Sequence, residues 1–138
     1  MTVRDHHYQR IISAKLFMDA NFQESIDLRR ISKQALLSRF HFHRLFTRIY
    51  QRTPHQYITQ KRIEKAKELL QNNDKTVTEV CNAVGFESIG SFSTLFKKEI
   101  GFAPQYYRNM AWLKKKRASE QPKSFIPGCY IFNYSLGD

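Results

Sequence analysis

Cysteine is nearly absent from this chain, with Cys81 and Cys129 the only two among 138 residues. So few thiols exclude a disulfide framework as the basis of the fold, and neither has a Cys or His neighbour at metal-ligand spacing. Both read as structural, and Cys81 falls on an apolar helical face, where a free thiol behaves as a small hydrophobe. Acidic residues are scarce as well, 12 Asp and Glu against 23 Lys and Arg, for a net charge of +11. That imbalance favours a polyanionic partner, nucleic acid or an anionic membrane surface. Long apolar runs are missing: nothing approaches the roughly 18 residues that span a bilayer. The polar start from Met1 to Arg10 has no apolar region like that of a signal peptide. The expectation is a cytoplasmic protein with no membrane partner. No Gly-rich phosphate loop, nucleophile elbow or carboxylate pair is found, which points away from an enzyme and from a cofactor.

At 41% hydrophobic the chain has enough apolar content to fold. Its organising stretch is Thr76 to Tyr107, TVTEVCNAVGFESIGSFSTLFKKEIGFAPQYY. Thr76 followed by Glu79 predicts a capping box and hence a helix start. Val77, Val80, Cys81 and Val84 then fall at i, i+3, i+4 and i+7, giving one apolar face on a short helix that Gly85 closes in the left-handed conformation. Ser88 is the next cap, after which Phe92, Leu95 and Phe96 repeat the helical spacing with Gly90, Ser93, Thr94 and Lys97 opposite. The spacing predicts helix, tight turn, helix, an arrangement that can present a helix to a major groove but also occurs in small helical domains generally.

The ordered sequence GFES, SFSTLFKKEIG, AP and Tyr107 resembles the second helix-turn-helix of the AraC/XylS family of bacterial transcription regulators. That family carries two such motifs in tandem, and a first copy is present here. Ser38 to Phe46 lies over Ser88 to Phe96 at an offset of fifty, and Thr53-Pro54 lies over Ala103-Pro104. Upstream of the turn the offset is forty-nine, with Leu28, Ile31 and Ala35 over Val77, Val80 and Val84, so that Glu87 is one extra residue in the second turn. A repeat whose slip is confined to a turn marks two copies of one supersecondary unit. The resemblance runs from Leu28 to Arg108. It implies an all-α fold of about seven helices, two homeodomain-like three-helix units joined by a long helix. It departs at Leu36, where the family usually has Gly.

Residues 7 to 20 read as a first helix, with Tyr8, Ile12 and Leu16 at successive i+4 steps and Ile11 beside them, packed on the first motif. Asp27 is an N-cap for the helix carrying Leu28, Ile31 and Ala35. Phe42, Leu45, Phe46 and Ile49 form the buried face of the first recognition helix, residues 38 to 50, with Phe40, His43, Arg44 and Thr47 one step round. Thr53-Pro54 starts a long helix of about 25 Å, suited to two recognition helices about one DNA turn apart. The units expected are 1–53, a linker helix 54–71, a second unit 72–113, and 114–138 with a basic run and an apolar tail.

Arg44 has the planar fork that matches the O6 and N7 acceptors of guanine, while Arg39 and Arg48 suit flanking phosphates. By resemblance, Phe40, His43 and Arg44 occupy base-reaching positions. In the second helix, residues 88 to 99, the corresponding base contacts are Ile89, Gly90, Ser91 and Thr94, where family members often carry longer polar or cationic side chains. Ser38, Ser88, Lys97 and Lys98 join the phosphate contacts. The residues between Asp27 and Pro54 include seven basic side chains against Asp27 alone, so the electrostatic grip is expected in the first unit. Lys61, Arg62 and Lys65 read either as phosphate contacts or as solvated surface. His41 and His43, two apart on a helix, cannot clamp one metal ion.

These observations predict a sequence-specific regulator that binds promoter or operator duplex DNA as a monomer in the bacterial cytoplasm, at the nucleoid, with RNA polymerase as a further partner. The alternative is a helical protein-interaction module that binds another regulator or RNA polymerase. Many family members have a separate ligand-sensing domain for which this length leaves no room, so a stand-alone regulator and a fragment are both open.

Overall fold

A computed structural model describes residues 3–72 and 74–120, which form seven helices and no strand. The apolar tail, with Cys129, lies outside the described residues. In order, the helices are α1 (Val3–Asn21), α2 (Leu28–Gln34), α3 (Arg39–Tyr50), α4 (Pro54–Gln71), α5 (Val77–Ala83), α6 (Ile89–Ile100) and α7 (Pro104–Glu120). The starts follow local chemistry. Asp27, Ser38, Thr53, Thr76 and Ser88 each accept a backbone N–H of the first turn, at 2.8 to 3.1 Å. The reciprocal capping box expected at Thr76 and Glu79 is formed instead at Thr53, whose own N–H donates to Gln56 Oε1 at 2.9 Å.

The repeat is visible in the backbone. Leu37 N–H donates to the Ser32 carbonyl at 3.2 Å and, forty-nine residues on, Phe86 N–H donates to the Cys81 carbonyl at 3.1 Å. Leu36 takes the left-handed conformation (φ 55°) that Gly85 takes in the second turn (φ 94°). The departure from Gly therefore leaves the turn geometry intact, at a cost of about 1 kcal/mol. The same contrast recurs at the ends of α3 and α6, where Gln51 (φ 59°) stands in the first copy and Gly101 (φ 96°) in the second.

Two hydrophobic cores result, and α4 contributes to both. Tyr57 and Ile58 near its start join Ile11, Ala14, Met18, Ile31, Ala35, Phe42 and Phe46 in one. Ile63, Ala66 and Leu70 join Val80, Cys81, Val84, Phe92 and Phe96 in the other. On α1 the sequence expectation holds only for Ile11, which faces the core with Ala14 and Met18, while Tyr8, Ile12 and Leu16 are exposed. Both sets have helical spacing, and tertiary packing chose the second-best-marked one. Ile49, expected inside, is 36% exposed because α3 buries only the Phe42 and Phe46 side fully.

A polar cluster pins α1 to α4. Tyr57 Oη donates to Asp19 Oδ1, Lys15 Nζ donates to Asp19 Oδ2 at 3.0 Å, and Lys61 Nζ lies 3.8 Å from Asp19 Oδ1. Burial pushes the Asp19 carboxyl up, but the Tyr57 hydroxyl and the two ammonium groups outweigh it and hold the group below its ordinary 3.8. Burial and the Asp19 hydrogen bond push the Tyr57 hydroxyl up to about 12. Because the folded Asp19 value lies below the unfolded one, its stabilisation is full above the ordinary value and is lost as pH falls through the depressed one. Asp19→Asn is expected to cost about 1 kcal/mol at pH 7 and almost nothing near pH 2. Urea midpoints at the two pH values check this, and an equal gap at both would remove the carboxylate as its source.

Candidate nucleic-acid interface

The two amphipathic helices α3 and α6 turn equivalent faces to solvent because equivalent pairs, Phe42 with Phe46 and Phe92 with Phe96, are fully buried beneath them. With those rings fixed inside, Ser38, Arg39, Phe40, His43, Arg44 and Arg48 are exposed on α3 and its cap. Ser88, Ile89, Gly90, Ser91, Thr94, Lys97 and Lys98 are exposed on α6 and its cap. All thirteen base and phosphate candidates on α3, α6 and their caps are therefore on the outer surface.

On α3 the outward side chains form a shallow concave surface, lined by Leu28, Ser38, Arg39, Phe40, His43, Arg44 and Thr47. Leu28 was not anticipated there, since its helical spacing read as core. The Arg44 guanidinium lies 5.4 Å above the Phe40 ring, which is itself 76% exposed. Stacking of this kind orients the fork of the guanidinium while leaving its donors free for an acceptor pair. Thr47 is less free, because its Oγ1 donates to the His43 carbonyl at 2.7 Å. His41 does not share a side with His43; its ring meets His7 of α1 edge-on at 5.1 Å between centroids. Among the described residues no group of three or more His, Cys, Asp or Glu side chains is placed to hold a metal ion.

The caps have their own partners. Ser38 Oγ accepts the His41 N–H at 3.1 Å, and Ser88 Oγ accepts the Ser91 N–H at 3.1 Å while donating to Ser91 Oγ at 3.0 Å. Gly90 sits in regular helix with nothing within 4 Å of where a Cβ would project, so neither packing nor backbone conformation within the chain asks for glycine there.

Several cations that composition had assigned to the surface charge are engaged elsewhere. Arg30 lies 3.8 Å from Glu24 Oε2 and 5.4 Å over the Phe17 ring. Arg52 donates to Gln60 Oε1. Lys115, from the basic run, donates to the Gln71 carbonyl, and Gln71 Nε2 donates to Tyr107 Oη at 2.7 Å, so α7 braces the end of α4. Arg62 turns inward: Nε donates to the Phe22 carbonyl at 2.7 Å and Nη2 to the Glu24 carbonyl at 3.0 Å. No sequence signal marks that inward turn, since the acceptors are main-chain carbonyls about forty positions away. No described helix is long and apolar enough to cross a membrane.

Comparison with known proteins agrees with this geometry. A family model described as a helix-turn-helix domain matches residues 31–110. The melibiose operon regulatory protein of Escherichia coli is 29% identical over 123 residues, covering 88% of this chain but 38% of that protein. The chain thus spans less than half the length of that relative. An AraC-type transcriptional regulator from Chromobacterium violaceum superposes with a TM-score of 0.68 at 26% identity, covering 75% of this chain and 93% of that one. The DNA-binding domain of AdpA, solved in complex with a target DNA, superposes with a TM-score of 0.69 over 81% of this chain and 96% of that one; at 24% identity that likeness is one of fold. Duplicated turns, equivalent buried rings, equivalent outward faces and the match over residues 31–110 together place this chain in the family of AraC-type helix-turn-helix DNA-binding domains.

Proposed function

We propose that the chain is a non-enzymatic, sequence-specific regulator of transcription that lays α3 and α6 into adjacent major-groove segments of one DNA duplex, in the bacterial cytoplasm at the nucleoid. The observation that carries this reading is the pair of outward faces at equivalent positions of a repeat, both exposed and both free of carboxylates until Glu99. One chain holds both helices, so a monomer suffices. In this reading residues 1–53 and 72–113 are the two reading units, and 54–71 sets the span between them.

The division of labour follows from the side chains. Arg44, oriented by Phe40, reads guanine through O6 and N7, and His43 reaches an adjacent base edge. Arg39 and Arg48 neutralise phosphates, joined by Lys97 and Lys98 from the second unit. Ser38 keeps its hydroxyl hydrogen for a phosphate oxygen, whereas Ser88 directs its own to Ser91 and contributes mainly as a cap. On α6, Ile89 meets a thymine methyl, Ser91 and Thr94 bond to bases or backbone, and Gly90 lets the helix approach closely. Nothing on these faces favours the protein-interaction alternative.

A duplex selected by the chain from a random pool, titrated beside random-sequence duplex, tests this. Arg44→Ala is expected to cost about 1 to 3 kcal/mol on the selected duplex and little on random DNA. In the same titration Arg39→Ala should weaken both and lower the salt slope by about 1. Equal wild-type affinity for the two duplexes, or unaltered preference after Arg44→Ala, would reject the reading.

A further inference from the structure

At the junction between the two cores, three independent features converge on one side chain. Arg62, at the middle of α4, donates to the Phe22 carbonyl at 2.7 Å and to the Glu24 carbonyl at 3.0 Å. Both acceptors lie in the loop that follows α1, which belongs to the first core. The central carbon of the same guanidinium lies 5.9 Å over the ring of Phe86, in the turn of the second motif. Immediately before that ring, Gly85 comes so close to the loop that a Cβ would sit 2.7 Å from the Gln23 carbonyl oxygen and 3.2 Å from Arg62 Nε. The loop itself is held in shape: Asn21 Nδ2 donates to the Phe17 carbonyl at 2.8 Å, and Glu24 N–H donates to the Asn21 carbonyl at 3.0 Å.

We propose that Arg62 is a positioning residue, a clasp that fixes the rotation of the second recognition helix relative to the first and thereby sets which half-site spacing the chain accepts. The inference rests on the two-site DNA reading above. A single stiff helix shared by two cores fixes their separation, but each unit can still roll on the side chains that pack it against that helix unless a further contact joins the two. A guanidinium whose Nε–Nη2 edge bonds one unit while its carbon lies over a ring of the other blocks that remaining motion, because its planar fork bonds both carbonyls in one orientation. Burial draws the Arg62 guanidinium below its ordinary range, and the Glu87 carboxylate opposes that shift. Glu87 is the one residue by which the second turn exceeds the first. The irregularity in the repeat thus falls at the junction, where the second turn alone has a neighbour to meet.

Lysine offers one compact donor group in place of the fork, and Met keeps the aliphatic packing without any donor. Arg62→Lys and Arg62→Met are the test variants, with two readouts. The first is residual dipolar couplings of backbone amides in the free protein, which report whether α3 and α6 share one alignment tensor. The second is affinity for the duplex selected by the wild-type chain, for versions with one base pair inserted or removed between the half-sites, and for each half-site alone. One base pair rotates the second half-site by about a tenth of a turn.

Wild type should show one tensor and lose about tenfold or more in affinity on either spacing change. Both variants should show divergent tensors, a spacing penalty reduced to about threefold or less, and single half-site affinities within about twofold of wild type. A merely structural role would lower all affinities together and leave the spacing profile unmoved. A single shared tensor in both variants overturns the clasp whatever the DNA result. A wild-type chain with one tensor but no spacing preference overturns instead the two-site reading on which the inference rests.

Discussion

Phe46→Ala is expected to remove about 3 to 5 kcal/mol from the stability of the first core. The ring is fully buried and central, with centroids 5.6 Å from Phe42, 4.7 Å from Tyr50 and 5.6 Å from Tyr57. Truncation leaves a cavity bounded by three other rings, which cannot all shift inward without leaving their rotamers. Domains of this size hold a total stability of order 5 to 15 kcal/mol, so the loss is a large share of it. The consequence reaches the interface, because α3 is anchored mainly through Phe42 and Phe46. Without the second anchor, Arg44 and His43 lose their common direction. Phe46→Leu should cost less than half as much. Urea denaturation followed by circular dichroism measures both, and a loss below about 1.5 kcal/mol for the alanine variant would contradict this account of the core.

Gly85→Ala is expected to cost about 2 kcal/mol or more, although it adds one methyl group. Two penalties combine. The residue sits at φ 94°, where an L side chain is strained, and the new Cβ would meet the Gln23 carbonyl oxygen at 2.7 Å. That oxygen is main chain, so no rotamer change relieves the contact. The equivalent position in the first copy supplies the contrast, since Leu36 holds the same left-handed conformation with 74% of its surface exposed. Leu36→Gly relieves strain of about 1 kcal/mol but gives the unfolded chain a similar amount of freedom, so its net effect should stay within about 0.5 kcal/mol. Comparable losses for the two substitutions would mean that the Gln23 contact is not what demands glycine at 85.

The outward faces of α3 and α6 are legible in the sequence for a local reason. Side chains three and four apart share a helix face, so burying Phe42 with Phe46 and Phe92 with Phe96 leaves Arg44, His43 and Thr94 nowhere to point but outward. The caps at Asp27, Ser38, Thr53, Thr76 and Ser88 depend on bonds within one turn, and the sequence marks each by residue type. The repeat and its one-residue slip at Glu87 follow from the same short-range signals, whereas the count of about seven helices is what the family resemblance implies.

What only tertiary structure decided involves partners distant along the chain. On α1 two apolar stripes compete, and the choice of Ile11, Ala14 and Met18 over Tyr8, Ile12 and Leu16 depends on how α2, α3 and α4 arrive against it. Arg62 looked like one more surface cation because carbonyl oxygens leave no mark in a sequence; its acceptors exist only once the loop at residues 22–24 has been folded against α4. The first and second turns follow one backbone path, yet only the second needs glycine, and the reason is a contact with a loop some sixty residues earlier. Periodicity and capping fix what each helix is and which residues it groups; the meeting of one unit with the other fixes which group is hidden and in what phase the remaining faces are presented.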